Sequence, residues 1–96
     1  MPGPTIIKGF GYVEQEATSS YVVVPLGLMG NNLKIIGLEG ADLTFRFDNN
    51  VDRPVDECDG EIDDDVRELN FTNLNVSKIY IKGTGSVRVY CWKSSN

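Results

Sequence analysis

The sequence predicts an all-β domain, a small antiparallel β-sandwich or jelly-roll-like barrel of about six to eight short strands. Three observations lead there. Apolar residues recur at every second position, as in Ile79-Tyr-Ile81 and Val87-Arg-Val89. No stretch sustains the three-to-four-residue apolar spacing of an amphipathic helix. Gly, Asn and Pro punctuate the chain at short intervals, where turns belong. The 96 residues suit a single domain, 1–96, and 41% hydrophobic with 24% charged is a composition that folds.

Residues 1–13 are expected to form an extended N-terminal arm or a weak edge strand. Pro2 and Pro4 lack an N–H to pair, and Gly9 and Gly11 interrupt the strand-like run from Thr5 to Val13. Glu14 to Ser20 is polar and reads as a loop. Ser20 to Leu26 reads as a strand closed by Pro25 and the turn-rich Gly27–Asn32. A hairpin is expected next, with Gly40-Ala41 at the centre of a type II′ turn. That register sets Leu38 against Leu43, Ile36 against Phe45 and Lys34 against Phe47, making one apolar face, with Glu39 opposite Asp42. Residues 52–68 hold nine acidic residues in seventeen positions and read as an acidic loop, with a further strand over Val66–Phe71. The closing hairpin is expected to turn at Gly83-Thr-Gly85. Its core face is Ile79, Ile81, Val87, Val89 and Cys91. Its other face is Lys78, Tyr80, Lys82, Arg88 and Tyr90, with Trp92 beyond.

Charge and composition narrow the function. Nine Lys and Arg against fourteen Asp and Glu leave −5, a sign that disfavours nucleic acid and anionic membrane as partners and suits a basic partner surface. The opening residues lack a basic lead and a long apolar run, so synthesis in a cytoplasm is expected. The longest apolar run, Tyr21 to Leu26, is far too short to span a bilayer. There is no His to serve as general base or to activate Cys58 or Cys91. Cys58 also sits between Glu57 and Asp59, whose charge works against a thiolate. No enzyme activity and no cofactor are expected.

The acidic run has a superficial calcium-loop look, but aligning Gly60 with the invariant sixth position puts Val55 first and Val66 twelfth, where carboxylates are needed. Looser binding through Asp59, Asp63, Asp64 and Asp65 stays open beside a solvated loop or a charged contact surface. The cysteines allow three readings: two separate thiols, a Cys58–Cys91 disulfide, or a bridge between subunits from Cys58.

Tyr80, Arg88, Tyr90 and Trp92 are the candidate interface, since aromatic and Arg side chains concentrate binding energy. Sugar stacking is the alternative use of the same rings, and a covering second sheet is the structural one. The strings Leu33-Lys-Ile-Ile-Gly, Asp42-Leu-Thr-Phe-Arg-Phe-Asp48, Leu69-Asn-Phe-Thr-Asn and Ser77-Lys-Ile-Tyr-Ile-Lys-Gly-Thr-Gly-Ser-Val-Arg-Val-Tyr-Cys, joined by an acidic linker, resemble small β-sandwich structural proteins of tailed-bacteriophage virions. The resemblance covers residues 33–91. It implies a noncatalytic virion component, such as a capsid decoration, cement, or head–tail or tail accessory protein. It further implies a homo-oligomer, a trimer favoured, bound to a major capsid or tail protein. The alternative expectation is a carbohydrate- or receptor-binding β-module.

Overall fold

Nine strands form among the described residues of the computed structural model, which are 5–7, 10–50, 52–54 and 56–94. They are β1 (Thr5–Ile7), β2 (Phe10–Glu16), β3 (Val22–Gly30), β4 (Asn32–Gly37), β5 (Asp42–Arg46), β6 (Gly60–Ile62), β7 (Glu68–Phe71), β8 (Val76–Thr84) and β9 (Ser86–Trp92). Sheet A has the order β1-β2-β9-β4-β7 and sheet B the order β3-β8-β5-β6, and every pairing is antiparallel. From β2 to β9, every link except β5–β6 passes from one sheet to the other. That connectivity is a jelly roll, four strands per sheet, with β1 added at one edge. The all-β sandwich expected from the sequence is what forms, with one strand more than the upper expectation.

The core lies between the sheets and is built by alternation. Val13, Leu33, Ile35, Val87, Val89 and Cys91 point inward from sheet A; Val24, Leu26, Leu43, Phe45, Ile62, Ile79 and Ile81 point inward from sheet B. Each large aliphatic side chain buried there contributes about 1.5–3 kcal/mol. Phe45, Phe47 and Phe71 pack edge to face with centroids 5.3–5.7 Å apart, tying β5 of one sheet to β7 of the other. Gln15 is the exception on the inner face: it is buried, and its Oε1 has no hydrogen-bond partner.

Both expected hairpins are absent, for one reason. The chain between β8 and β9 is a single residue, Gly85, and it turns a corner between sheets instead of laying two strands side by side. Gly83 (φ 142°) and Gly85 (φ 84°) supply the backbone conformations for that corner. Strand β8 pairs with β3 and β5, while β9 pairs with β2 and β4. The expected inward set of Ile79, Ile81, Val87, Val89 and Cys91 is nevertheless correct, all five being fully buried.

The Gly40-Ala41 hairpin fails in the same way, because β4 belongs to sheet A and β5 to sheet B. The turn is closed by the Ala41 N–H donating to the Leu38 carbonyl at 3.0 Å, with Gly40 (φ 80°) third in the turn rather than at the expected first central position. Freed from pairing with β5, β4 presents the opposite face: Leu33 and Ile35 are buried, whereas Lys34 and Ile36 point outward. Glu39 and Asp42 are therefore not cross-strand neighbours.

Other boundaries shift too. Phe10 to Val13, expected in an arm or weak edge, lie in β2, which is paired on both sides by β1 and β9. Residues 1–4, 8 and 9 of that expected arm lie outside the described residues. Strand β3 runs past Pro25 through an irregular register to Gly30; it is an edge strand, where Pro is tolerated. The acidic segment 52–68 is not one loop, since it contains β6 and ends in β7. Both cysteines are free thiols, so the Cys58–Cys91 disulfide is not formed: Cys91 is buried on β9 and Cys58 is half-buried in the β5–β6 link. Burial raises the Cys91 thiol pKa, partly offset by a hydrogen bond from the Gly30 backbone.

Candidate functional site

Alternation that sends Val13, Val89 and Ile35 inward must send their neighbours outward, and in sheet A those neighbours are aromatic. The register sets Trp92 between Phe10 and Asn32, Tyr90 between Tyr12 and Lys34, and Arg88 between Glu14 and Ile36. Three strands that are distant in sequence thus assemble one surface. Phe10 and Trp92 are close to parallel, 23° apart with centroids at 6.2 Å. Tyr90 lies 5.7 Å from Phe10 and 5.3 Å from Tyr12, both tilted by 45°. Phe10 is 40% exposed, unusual for a ring of that size. Phe10, Lys34, Ile36, Tyr90 and Trp92 border a shallow concavity of about 310 Å³.

Paired charges flank the rings. Glu14 Oε1 accepts from Arg88 Nη2 at 2.7 Å, Arg88 Nε at 2.9 Å and the Tyr12 hydroxyl at 2.8 Å. The Arg88 hydrogen bonds, then that of Tyr12, pull the Glu14 carboxyl below its usual pKa. Tyr12 is pushed up by donating to Glu14, and Arg88 by donating to the same carboxylate. Across the sheet, Lys34 Nζ stands 3.8 Å from Glu68. These side chains stay partly exposed, so each pair adds little to the stability of the fold and chiefly fixes side-chain positions.

Three of the four expected interface residues, Arg88, Tyr90 and Trp92, meet on this face. Tyr80 does not. It belongs to β8 in sheet B, paired with Val23 and Arg46 on the opposite side of the sandwich. Lys78 and Lys82 go with it. The expected common face of the closing hairpin is thus split between two outer faces, because the strands carrying it lie in different sheets. Phe10, Tyr12, Glu14 and Lys34 join the surface, although none of them is among the residues expected there. The alternation Phe10-x-Tyr12-x-Glu14 is their signal in the sequence, masked by Gly9 and Gly11.

The first half of the acidic segment folds around Arg53. Its guanidinium meets Asp48 at 3.2 Å, Glu57 at 3.0 Å and Asp59 at 3.1 Å, and its pKa is raised, chiefly by the hydrogen bond to Asp59. Burial opposes ionisation of Asp59, but hydrogen bonds from Arg53 and the Phe47 N–H outweigh it and lower its pKa. Arg46 anchors the same link from inside, donating to the carbonyls of Glu57 at 2.7 Å and Pro54 at 2.6 Å. Asp59 is accordingly engaged with Arg53 and separated in role from Asp63, Asp64 and Asp65, which border a different concavity with Asp42 and Thr84. Among the described residues no three His, Cys, Asp or Glu side chains converge to hold a metal ion.

Compared with protein-family models, with curated proteins and with solved structures, the chain finds no match in any of the three.

Proposed function

We propose that this chain is a noncatalytic structural subunit of a virion, bound to neighbouring capsid or tail subunits through the outer face of sheet A. The observation that carries this reading is the aromatic surface of Phe10, Tyr12, Tyr90 and Trp92, bordered by the Arg88–Glu14 and Lys34–Glu68 pairs. Rings at the centre with charges at the rim match the anatomy of protein interfaces, where the rings supply energy and the charges set register. The jelly roll is also an architecture of viral capsid domains, which supports the reading by analogy of fold alone. Strand β1, at the free edge of sheet A, offers main-chain groups for a neighbour's strand. A net charge of −5 suits a basic partner surface. Repetition over a symmetric particle, in trimers or another closed set, turns modest contacts into lasting attachment.

Mass spectrometry of gradient-purified particles from cells producing the chain should find it in many copies. Replacing Tyr90 and Trp92 together by Ala should lower incorporation by roughly tenfold or more with the melting curve retained. Absence from purified particles, or undiminished incorporation of that variant, overturns the proposal.

A second reading rests on the near-parallel Phe10 and Trp92 rings beside the concavity lined by Lys34 and Tyr90. Rings so arranged form a stacking platform for a sugar. Saturable binding on a glycan array, lost in Trp92→Ala, would favour it over the first.

A further inference from the structure

On the other side of the sandwich, we propose that Lys82 and Arg46 form a binding site for a compact oxyanion beside the Tyr21 ring. The protein is acidic, yet three of its nine basic residues, Arg46, Arg53 and Lys82, line one open concavity of about 350 Å³ with Tyr21, Ser19 and Asn49. That volume admits a phosphate, sulfate or carboxylate group together with part of the molecule bearing it.

The fold, not chain proximity, brings these groups together. Arg46 is on β5, Lys82 on β8, and Tyr21 immediately precedes β3; β8 lies between the other two strands. The Tyr21 hydroxyl is hydrogen-bonded to Thr44 Oγ1 at 3.2 Å, and Thr44 is the cross-strand neighbour of Lys82. The Arg46 guanidinium carbon stands 4.4 Å from the Tyr21 ring centre and Lys82 Nζ stands 5.0 Å from it. Two like charges are therefore held around one ring, within a distance comparable to the screening length of about 8–10 Å at physiological salt. An anion in the concavity that both line lowers their repulsion, so the pocket is charged in advance for its ligand.

The three cations are not equivalent. Arg53 already faces three carboxylates. Arg46 is buried and fixed by the Pro54 and Glu57 carbonyls, which makes it a rigid wall of positive potential. Lys82 has no carboxylate within 4.0 Å among the described residues, and its flexible stem lets the ammonium close on an oxyanion. The exposed Ser19 hydroxyl and Asn49 amide add neutral donors at the mouth. The site is independent of the sheet A surface, so either stands if the other fails.

The test is an amide-resonance titration of the full chain by NMR at constant ionic strength, with sodium phosphate in one arm, sodium acetate in another and sodium chloride as reference. Saturable shifts at Tyr21, Asn49 and Lys82 are expected with phosphate, with acetate or with both, and the arm that saturates tells a tetrahedral oxyanion from a carboxylate. Lys82→Gln should weaken binding about tenfold, Lys82→Arg should retain it, and Lys93→Gln should leave it unchanged. Shifts that merely follow chloride, or equal affinity in Lys82→Gln and the parent, overturn the site.

Discussion

Replacing Gly85 by Ala is the sharpest test of the jelly-roll corner, because Gly40 provides a matched control. Both residues have similar left-handed φ values, 84° and 80°. An Ala at either position incurs the same left-handed cost of about 1–2 kcal/mol. Stiffening of the unfolded chain returns about 0.4–1 kcal/mol in both. Their surroundings differ. A Cβ on Gly85 would lie 2.6 Å from Ala41 Cα, 3.0 Å from its nitrogen and 3.1 Å from the Gly40 carbonyl oxygen, all backbone atoms that cannot rotate away. A Cβ on Gly40 meets nothing within 4 Å. Gly40→Ala should therefore cost about 0–1.6 kcal/mol, while overpacking adds about 1–3 kcal/mol to Gly85→Ala. Against a total stability of about 5–15 kcal/mol this is a large share. With a urea slope of about 1–3 kcal/mol per molar, the Gly85→Ala midpoint should fall well below that of Gly40→Ala. Urea unfolding followed by Trp92 fluorescence measures both. Coincident midpoints would refute the reasoning, since in a simple β8–β9 hairpin Gly85 would not press on the Leu38–Ala41 turn.

Three further outcomes are expected. The Glu14 pKa is depressed in the fold, so its contribution is full above its ordinary value of 4.5 and is lost as pH falls through the lower folded value. The stability advantage of the parent over Glu14→Gln, from denaturant midpoints, should hold from neutral pH to about 5 and shrink below that; parallel acid limbs would contradict it. Gln15→Leu removes a buried, unpartnered carbonyl oxygen on the inner face but also the Nε2 bond to the Glu16 carbonyl, so it should raise Tm by up to about 4 °C, a gain of at most about 1 kcal/mol, with a fall in Tm by calorimetry as the refuting result. Arg53→Ala leaves Asp48, Glu57 and Asp59 without their shared cation, so limited proteolysis should cut the 48–59 link several-fold faster, and unchanged cleavage would show that the carboxylates do not hold it.

The surface on sheet A is half legible in the sequence. Arg88, Tyr90 and Trp92 alternate on one strand, and their outward direction follows from Val87, Val89 and Cys91 facing in. Tyr80 follows the same rule on its own strand and still ends on the opposite outer face. Nothing in its neighbours says which sheet that strand will join. Ile36 shows the complementary failure: a plausible hairpin register turns β4 inside out, and one residue of slip exchanges core for solvent along a whole strand.

What the residues alone determined is therefore local: an all-β chain, the inward set of β8 and β9, and an acidic balance concentrated between residues 52 and 68. These follow from a two-residue period and from side-chain charge, which need no partner to be read. The tertiary structure decided which strands lie side by side and which lie face to face. Period-two burial is satisfied equally by a hairpin and by two strands in opposite layers, so the choice passes to long-range pairing and to corner residues such as Gly85. The same choice gathered Phe10, Tyr12, Lys34, Tyr90 and Trp92 from three distant strands, and set Arg46 and Lys82 around Tyr21 on the other side.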